Sequence, residues 1–243
     1  MNKKYLDLIY REAEFIKSKD KKFEFHHLVK AISKLDNVNL KEAIEEPDFI
    51  LDFKGISIGI EIITLVNFKK RERSGFIQNV LDKISYDIAH KYSTQYLLTI
   101  YFYDDIKFDK TQMFEECKKV IEYYLENNEV LANDFIENIL NCGRKRDMKL
   151  LYNPGGFLVP QLTEDILNSF VDKKNQKIKK YKENLNGNDC WLLLVTSTNE
   201  YQYDLYDSFP PRLTIKHDFD KVLLLHDFNN LLFEWNKNKW KLI

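Results

Sequence analysis

The sequence predicts a mixed α/β fold, in which helices flank a central sheet of parallel and antiparallel strands. The first observation is a pair of continuous apolar runs, at 191–195 and 222–225, which are typical of strands buried on both faces. The second is that segments with helical apolar spacing alternate with these runs along the chain. The third is an apolar residue at every second position of two segments that flank a turn, from Phe49 to Ile62, which predicts a β-hairpin. Together they favour the α/β class.

Two helices are predicted to lead into the sheet. The ranges 2–18 and 23–35 both have apolar residues three or four positions apart, and the polar run 20–22 separates them. A short strand is predicted near 40–45, directly before the hairpin at 47–64.

The elements beyond the hairpin continue the alternation of helices and strands. The basic run 67–75 is predicted to be a solvated loop. The remaining elements are, in order, a helix over 76–92, a strand over 96–103, helices over 111–126 and 130–141, an irregular segment through Pro160, a long helix over 163–185, strands over 190–196 and 221–226, and a strand or short helix over 229–240. We therefore expect one domain over 1–243, with a largely helical insertion over 66–160.

The hairpin carries the most informative pair of residues, Asp48 and Glu61. If residues 54–55 form a two-residue turn, Phe53 pairs with Ile56, and counting outward sets Asp48 opposite Glu61. Directly opposed residues have Cβ atoms about 4.5–5.5 Å apart, and like charges there are destabilising unless something compensates.

Continuing the same register sets Glu46 opposite Ile63, so three carboxylates are expected on one face of the hairpin. A hard divalent cation such as Mg²⁺, or Mn²⁺ in its place, would compensate them. Mg²⁺ takes oxygen ligands, typically one or two carboxylates together with waters and substrate phosphates.

At Pro47-Asp48 and Glu61-Ile62-Ile63 the chain resembles the PD-(D/E)xK nuclease superfamily. The resemblance covers about residues 23–65 and the helix and strand after 163. It implies a restriction-endonuclease-like sheet, with Asp48 and Glu61 as catalytic metal ligands and the Ile62 carbonyl as a third ligand. Glu46 would hold a water on the metal. The sequence departs from the motif at Ile63, which occupies the lysine position.

The missing lysine is expected from a helix. Lys174 falls within the apolar stripe of the helix predicted over 163–185, where a lysine either reaches outward or is aimed at an anion, and Lys177 lies one turn further on. Lys83 and Gln78, on an earlier predicted helix, stay open as alternatives. Three acids fit the superfamily's acidic position on the first helix: Glu12, Glu14 and Glu24.

The predicted function is therefore Mg²⁺-dependent hydrolysis of phosphodiester bonds, with Asp48 and Glu61 as ligands and Lys174 or Lys177 assisting the attacking water. From the resemblance, DNA is favoured over RNA, and a homodimer is compatible with it. The alternative is a catalytically degenerate nuclease fold that binds nucleic acid or a protein partner, because Ile63 replaces the motif lysine. A third is an interaction module built on the aromatic residues of 201–240.

Composition sets the remaining expectations. A net charge of −1 means that nucleic acid would be bound by local patches rather than by the overall field. No apolar stretch is long enough to span a bilayer, so no membrane association is expected. The three widely spaced cysteines favour a reducing cytoplasm.

Overall fold

The computed structural model describes residues 19–103, 110–153, 160–197, 201–205 and 211–243. These residues divide into two compact units. The first unit contains the described residues up to 67 and from 160 onward, and the second contains those of 68–158. The helix predicted over 2–18, with its candidate acids Glu12 and Glu14, lies outside the described residues.

The described helices and strands confirm a mixed α/β class with a mixed central sheet flanked by helices. In chain order they are α1 (Lys19–Ile32), β1 (Val38–Ala43), β2 (Phe49–Phe53), β3 (Ile56–Thr64), α2 (Phe68–Ile88), β4 (Gln95–Phe102), α3 (Lys110–Asn127), β5 (Ile136–Lys145), β6 (Lys149–Asn153), α4 (Glu164–Asn175), α5 (Ile178–Asn184), β7 (Cys190–Thr196), β8 (Lys221–His226), β9 (Leu231–Asn236) and β10 (Lys239–Leu242). None of the described helices has the length and apolar character needed to cross a membrane.

The first unit is built on a seven-stranded sheet with the order β1-β2-β3-β7-β8-β9-β10. The three central strands β3, β7 and β8 run parallel, and the outer neighbours pair antiparallel. The segment predicted as a strand or short helix over 229–240 is the hairpin of β9 and β10. Its turn residues, Lys237 and Asn238, both have positive φ, as a two-residue hairpin turn requires.

Strand β7 is the centre of this unit, because every one of its residues is buried. Alternate residues from Trp191 to Val195 lie in the core that α1 covers, and those from Cys190 to Leu194 lie in the core that α4 and α5 cover. Each fully buried leucine contributes about 1.5–3 kcal/mol. This two-sided burial explains the continuous apolar run in the sequence.

The hairpin of β2 and β3 has the predicted turn and register. Lys54 and Gly55 have φ of 55° and 85°, which a type I′ turn requires at its two central positions. The ladder runs from Phe53 opposite Ile56 to Phe49 opposite Ile60. Both faces of β3 are buried from its third residue to its eighth, because α1 covers one face and α4 and α5 cover the face that carries Glu61.

The helix predicted over 163–185 is divided into α4 and α5. The Thr163 side chain caps α4 by accepting a hydrogen bond from the Ile166 N–H at 3.4 Å. Gln176 and Lys177 separate the two helices. Both helices pack on the same core, so the predicted apolar stripe continues across the break.

Asp227 ties α1 to the end of β8. Its carboxylate accepts hydrogen bonds from Lys30 Nζ at 2.8 Å and from His27 Nδ1 at 3.2 Å. Burial opposes ionisation of Asp227, but the hydrogen bonds from His27 and Lys30 outweigh it and lower the pKa of Asp227 to about 2.

The second unit combines two helices with a three-stranded sheet, so it contains more sheet than the predicted largely helical insertion. It holds a three-stranded sheet with the order β5-β4-β6, in which β5 is antiparallel and β6 parallel to β4. Helices α2 and α3 cover one face of this sheet. Strand β6 lies in the segment that was predicted to be irregular.

The helix predicted over 130–141 is wrong, because this range leads into strand β5. A β-bulge at Glu137 sets Ile136 and Ile139 on the same face, opposite Phe102 and Ile100. Two apolar residues three positions apart therefore face one core, and this spacing imitates a helix in the sequence.

The loop predicted over 67–75 is also wrong, since α2 begins at Phe68. Lysine and arginine are good helix formers. The buried face of α2 extends back to Ser74, one turn before Ile77, so the basic run forms the first two turns of a packed helix.

Candidate functional site

Asp48 lies one residue before β2, at the position that the ladder brings beside β3. Its Oδ2 accepts a hydrogen bond from the Ile62 N–H at 2.8 Å, which fixes the carboxylate against the edge of β3. The last paired residues are Phe49 and Ile60. The predicted proximity of Asp48 and Glu61 therefore follows from the confirmed register, and Asp48 is one of the groups that shift the Glu61 pKa.

Glu61 is on the face of β3 that α4 and α5 cover. Its side chain is only 5 % exposed, and Oε1 accepts a hydrogen bond from Lys174 Nζ. Among the described residues, Glu61 Oε2 has no hydrogen-bond partner, and neither has the buried hydroxyl of Tyr181. Tyr181 is close enough to Glu61 to affect its pKa, although the two groups do not complete a hydrogen bond.

The position of Lys174 agrees with its prediction from the apolar stripe. A lysine in that stripe was expected either to reach outward or to be aimed at an anion, and Lys174 Nζ contacts the Glu61 carboxylate from α4. The motif position itself is filled by Ile63, which is buried in the core with α4 and α5. An ammonium group thus reaches Glu61 from a helix instead of from β3.

Lys21 is a member of the site that the sequence did not indicate. Its Nζ is 2.7 Å from Asp48 Oδ1 and 3.5 Å from Glu24 Oε2. It is also 4.9 Å from the centre of the Phe49 ring. The sequence treated Lys21 as part of a break between helices, but α1 already includes it. The available signal was its spacing from Phe25, one turn further along the buried face.

Burial makes ionisation costly for Glu61 and Glu24. Burial, followed by the nearby Asp48 carboxylate, raises the pKa of Glu61, and Lys174 partly opposes this shift. Burial and then Asp48 also raise the pKa of Glu24 to about 7, with Lys21 acting in the opposite direction. Three carboxylates therefore share a buried region with two ammonium groups.

Glu46 is not opposite Ile63, and this part of the predicted register is wrong. The chain turns between Ile44, whose N–H donates to the Asp48 carbonyl at 3.0 Å, and the start of β2. The Glu46 carboxylate instead contacts Lys180 and Lys177, the latter at 3.4 Å. Hydrogen bonding to Lys180 is the main cause that lowers the pKa of Glu46.

Lys177 therefore pairs with Glu46, and Lys174 is the lysine that contacts Glu61. The two other candidates lie in the second unit. Gln78 bonds to the backbone of Leu150 and Tyr152 there, which is a structural role. Lys83 is an exposed residue of α2.

No group of three or more histidine, cysteine, aspartate or glutamate side chains with the arrangement of a metal site occurs in the described ranges. The donor set expected from the sequence is smaller, because it consists of two carboxylates and one backbone carbonyl. The buried and unpartnered Glu61 Oε2 fits such a set, since an unsatisfied carboxylate oxygen in the interior is costly without a ligand.

A scan against protein-family models, a search of curated proteins and a search of solved structures each found no match to this chain.

Proposed function

We propose that this protein is a metal-dependent nuclease that hydrolyses phosphodiester bonds, with DNA favoured over RNA as the substrate. Asp48 and Glu61 would bind Mg²⁺ or Mn²⁺. The observation that carries the proposal is the pair of buried carboxylates on one hairpin, of which Glu61 retains an unpartnered oxygen. Buried acids without a full set of partners are typical of functional sites.

The backbone supports a third ligand. In an antiparallel ladder the N–H and C=O of one residue point to the same neighbouring strand. The Ile62 N–H donates to Asp48, so the Ile62 carbonyl is directed to the same side. Pro47, the residue before Asp48, has no N–H to offer this carbonyl. Two carboxylates and one carbonyl leave the remaining positions for waters and a phosphate, as Mg²⁺ prefers.

A bound divalent cation would supply Lewis-acid activation of water and neutralise charge on the scissile phosphate. The chain's own groups set the geometry around it. The Ile62 N–H orients Asp48, and Lys174 holds Glu61. The Lys174 side chain is a quarter exposed, and its ammonium would orient a water or stabilise a phosphate oxygen. Lys177 would act only indirectly, because its ammonium contacts Glu46 and not Glu61 or Asp48.

The chain order also supports the resemblance to PD-(D/E)xK nucleases. The resemblance requires an acidic hairpin followed later by a helix and a strand of the same sheet, and β2, β3, α4 and β7 have this order, with β7 beside β3. The lysine that the motif lacks has a candidate replacement in Lys174.

The test is cleavage of plasmid and single-stranded DNA with Mg²⁺ or Mn²⁺, with an RNA substrate in parallel. Asp48→Asn and Glu61→Gln keep the shape of the site and should abolish cleavage. Glu42→Gln, at an exposed position of the same sheet, is the matched control and should cleave like the wild type. Equal activity in all four proteins would remove the proposed site.

One observation favours the alternative of a non-catalytic nuclease fold that binds nucleic acid or a protein. Each acid of the pair already has a lysine counter-ion, Lys21 for Asp48 and Lys174 for Glu61. Such pairing compensates the charges without a cation. Calorimetric titration with Mn²⁺ separates the two functions, because saturable binding without cleavage of any substrate supports the alternative.

A further inference from the structure

Among the described residues of the second unit, no helix covers one face of the sheet, which we call the open face. Helices α2 and α3 cover the face that carries Leu98 and Ile100. On the opposite face Thr99 is paired with Leu140 on one side and Leu151 on the other. These two leucines are 50 % and 44 % exposed. Neighbouring exposed leucines on a regular sheet mark a surface that binds a partner.

Two tyrosines extend this surface along β4. Tyr101 is on the open face, and Tyr103 follows on the same face because alternate residues of a strand point to the same side. The Tyr103 N–H donates to the Phe135 carbonyl at 3.0 Å, so strand pairing continues to this residue. The two tyrosine positions are about 7 Å apart along the strand. Asn138 and Asn153 flank Tyr101 in the ladder.

The charge of this surface is positive. Lys145 and Lys149 lie opposite open-face positions of β4. β4 and β6 contain no acidic residue, and the one carboxylate of β5 is Glu137, at the bulge.

We propose that the open face of β5, β4 and β6 binds single-stranded nucleic acid. Bases stack on Tyr101 and Tyr103, the asparagine amides bond to base edges, and Lys145 and Lys149 pair with phosphates. Aromatic side chains on an open sheet with flanking cations suit single strands, because unpaired bases expose their faces and edges. A duplex offers phosphates but no free base faces. This surface goes beyond the Asp48–Glu61 site and does not depend on metal binding there.

Cys142 provides a probe on this face. Its Sγ is 3.4 Å from Thr99 Oγ1 and its side chain is exposed. Cys117 and Cys190 are buried, and burial raises the pKa of both thiols to about 12. A maleimide should therefore modify Cys142 selectively, and Cys142→Ser gives the background rate.

The experiment measures maleimide modification of the full chain in a chelator, with and without a short oligonucleotide. Single-stranded DNA or RNA should slow the modification several-fold, and a duplex of the same sequence should not. The DNA and RNA arms show which strand is preferred. Unchanged modification with every oligonucleotide overturns the proposal, and so does equal protection by the duplex. Protection that grows with protein concentration alone also overturns it, because a second copy of the chain then covers the face.

Fluorescence anisotropy with the same oligonucleotides tests the named residues. Lys149→Ala should reduce the slope of log affinity against log salt by about 0.7, the value for one phosphate contact on a single strand. Lys119→Ala, at an exposed position of α3, is the matched control and should leave the slope unchanged. Tyr101→Ala should weaken binding by about 5- to 150-fold, as expected for loss of one stacked base. Equal slopes for the two lysine variants contradict the assignment. Because the buffer contains a chelator, failure here is distinct from failure of the nuclease proposal.

Discussion

Replacing Glu24 by glutamine should stabilise the protein at alkaline pH and change little at pH 4. Burial, then the Asp48 carboxylate, raises the pKa of Glu24 to about 7 from an ordinary value of 4.5. Between pH 4.5 and about pH 7, Glu24 is protonated in the folded protein but ionised in the unfolded chain. Stability therefore falls as pH rises through this window, and it stays lower above pH 7. A glutamine side chain cannot ionise, so the Glu24→Gln variant escapes this loss.

The size of the expected stabilisation follows from the shift in the pKa of Glu24. At 1.36 kcal/mol per pKa unit, the difference between 4.5 and about 7 corresponds to about 3 kcal/mol. The Glu24 side chain is 30 % exposed, and solvent screening therefore reduces the expected gain to about 2 kcal/mol. The contact with Lys21 at 3.5 Å is already included in this value, because Lys21 lowers the pKa of Glu24.

Urea denaturation at pH 4, 6 and 8 at constant ionic strength measures this difference. The free energy of unfolding of Glu24→Gln should exceed that of the wild type by an amount that grows with pH. Glu42→Gln, at an exposed position, should follow the wild type at every pH. A Glu24→Gln variant that is less stable than the wild type at pH 8 would refute the reasoning.

Four further predictions concern the free energy of unfolding measured in urea. Lys174→Met should lower it by about 2–4 kcal/mol, because the buried Glu61 carboxylate loses its counter-ion; a loss of the same size in a Glu61→Gln background would contradict the pairing. Gly59→Ala should cost about 1–3 kcal/mol, since its Cβ would lie 2.5 Å from a leucine side chain. Gly75→Ala, in an open helical position, should gain up to about 1 kcal/mol; a stable Gly59→Ala variant would contradict the first expectation, and a destabilised Gly75→Ala variant the second. Asp227→Asn should lose about 2 kcal/mol at pH 7, because the pKa of Asp227 is lowered to about 2 from 3.8; this difference should shrink as pH falls from 3.8 towards 2, and one that persists at pH 2 would argue against the ion pairs.

The sequence predicted the hairpin well because two independent signals agree there. Apolar residues at every second position determine which face of the hairpin is buried, and the two-residue turn determines the register. A shift of the register by one residue would expose the whole apolar face. The contact of Lys174 with Glu61 was predictable for a similar reason, since a cation within an apolar stripe needs an anion nearby. The split of its helix near Lys177 was not predictable, because both parts bury the same stripe.

The parts that could not be predicted depend on tertiary contacts. The bulge at Glu137 gives a strand the apolar spacing of a helix, and only pairing with β4 reveals it. Glu46 is not part of the hairpin ladder, and its carboxylate contacts Lys177 and Lys180, which are more than a hundred residues away in the chain. The spacing of Lys21 from Phe25 places it near the buried face of α1, but its partner Asp48 follows only from the packing of α1 beside the hairpin.

The most direct test of the central claim is a crystal structure of the protein soaked in Mn²⁺, with anomalous diffraction to locate the ion. We expect an anomalous peak about 2 Å from one oxygen each of Asp48 and Glu61, with the Ile62 carbonyl as a third ligand. The Lys21 ammonium should then have moved away from Asp48. A structure in which Mn²⁺ binds elsewhere, while Lys21 and Lys174 keep their contacts with the two acids, would contradict the account.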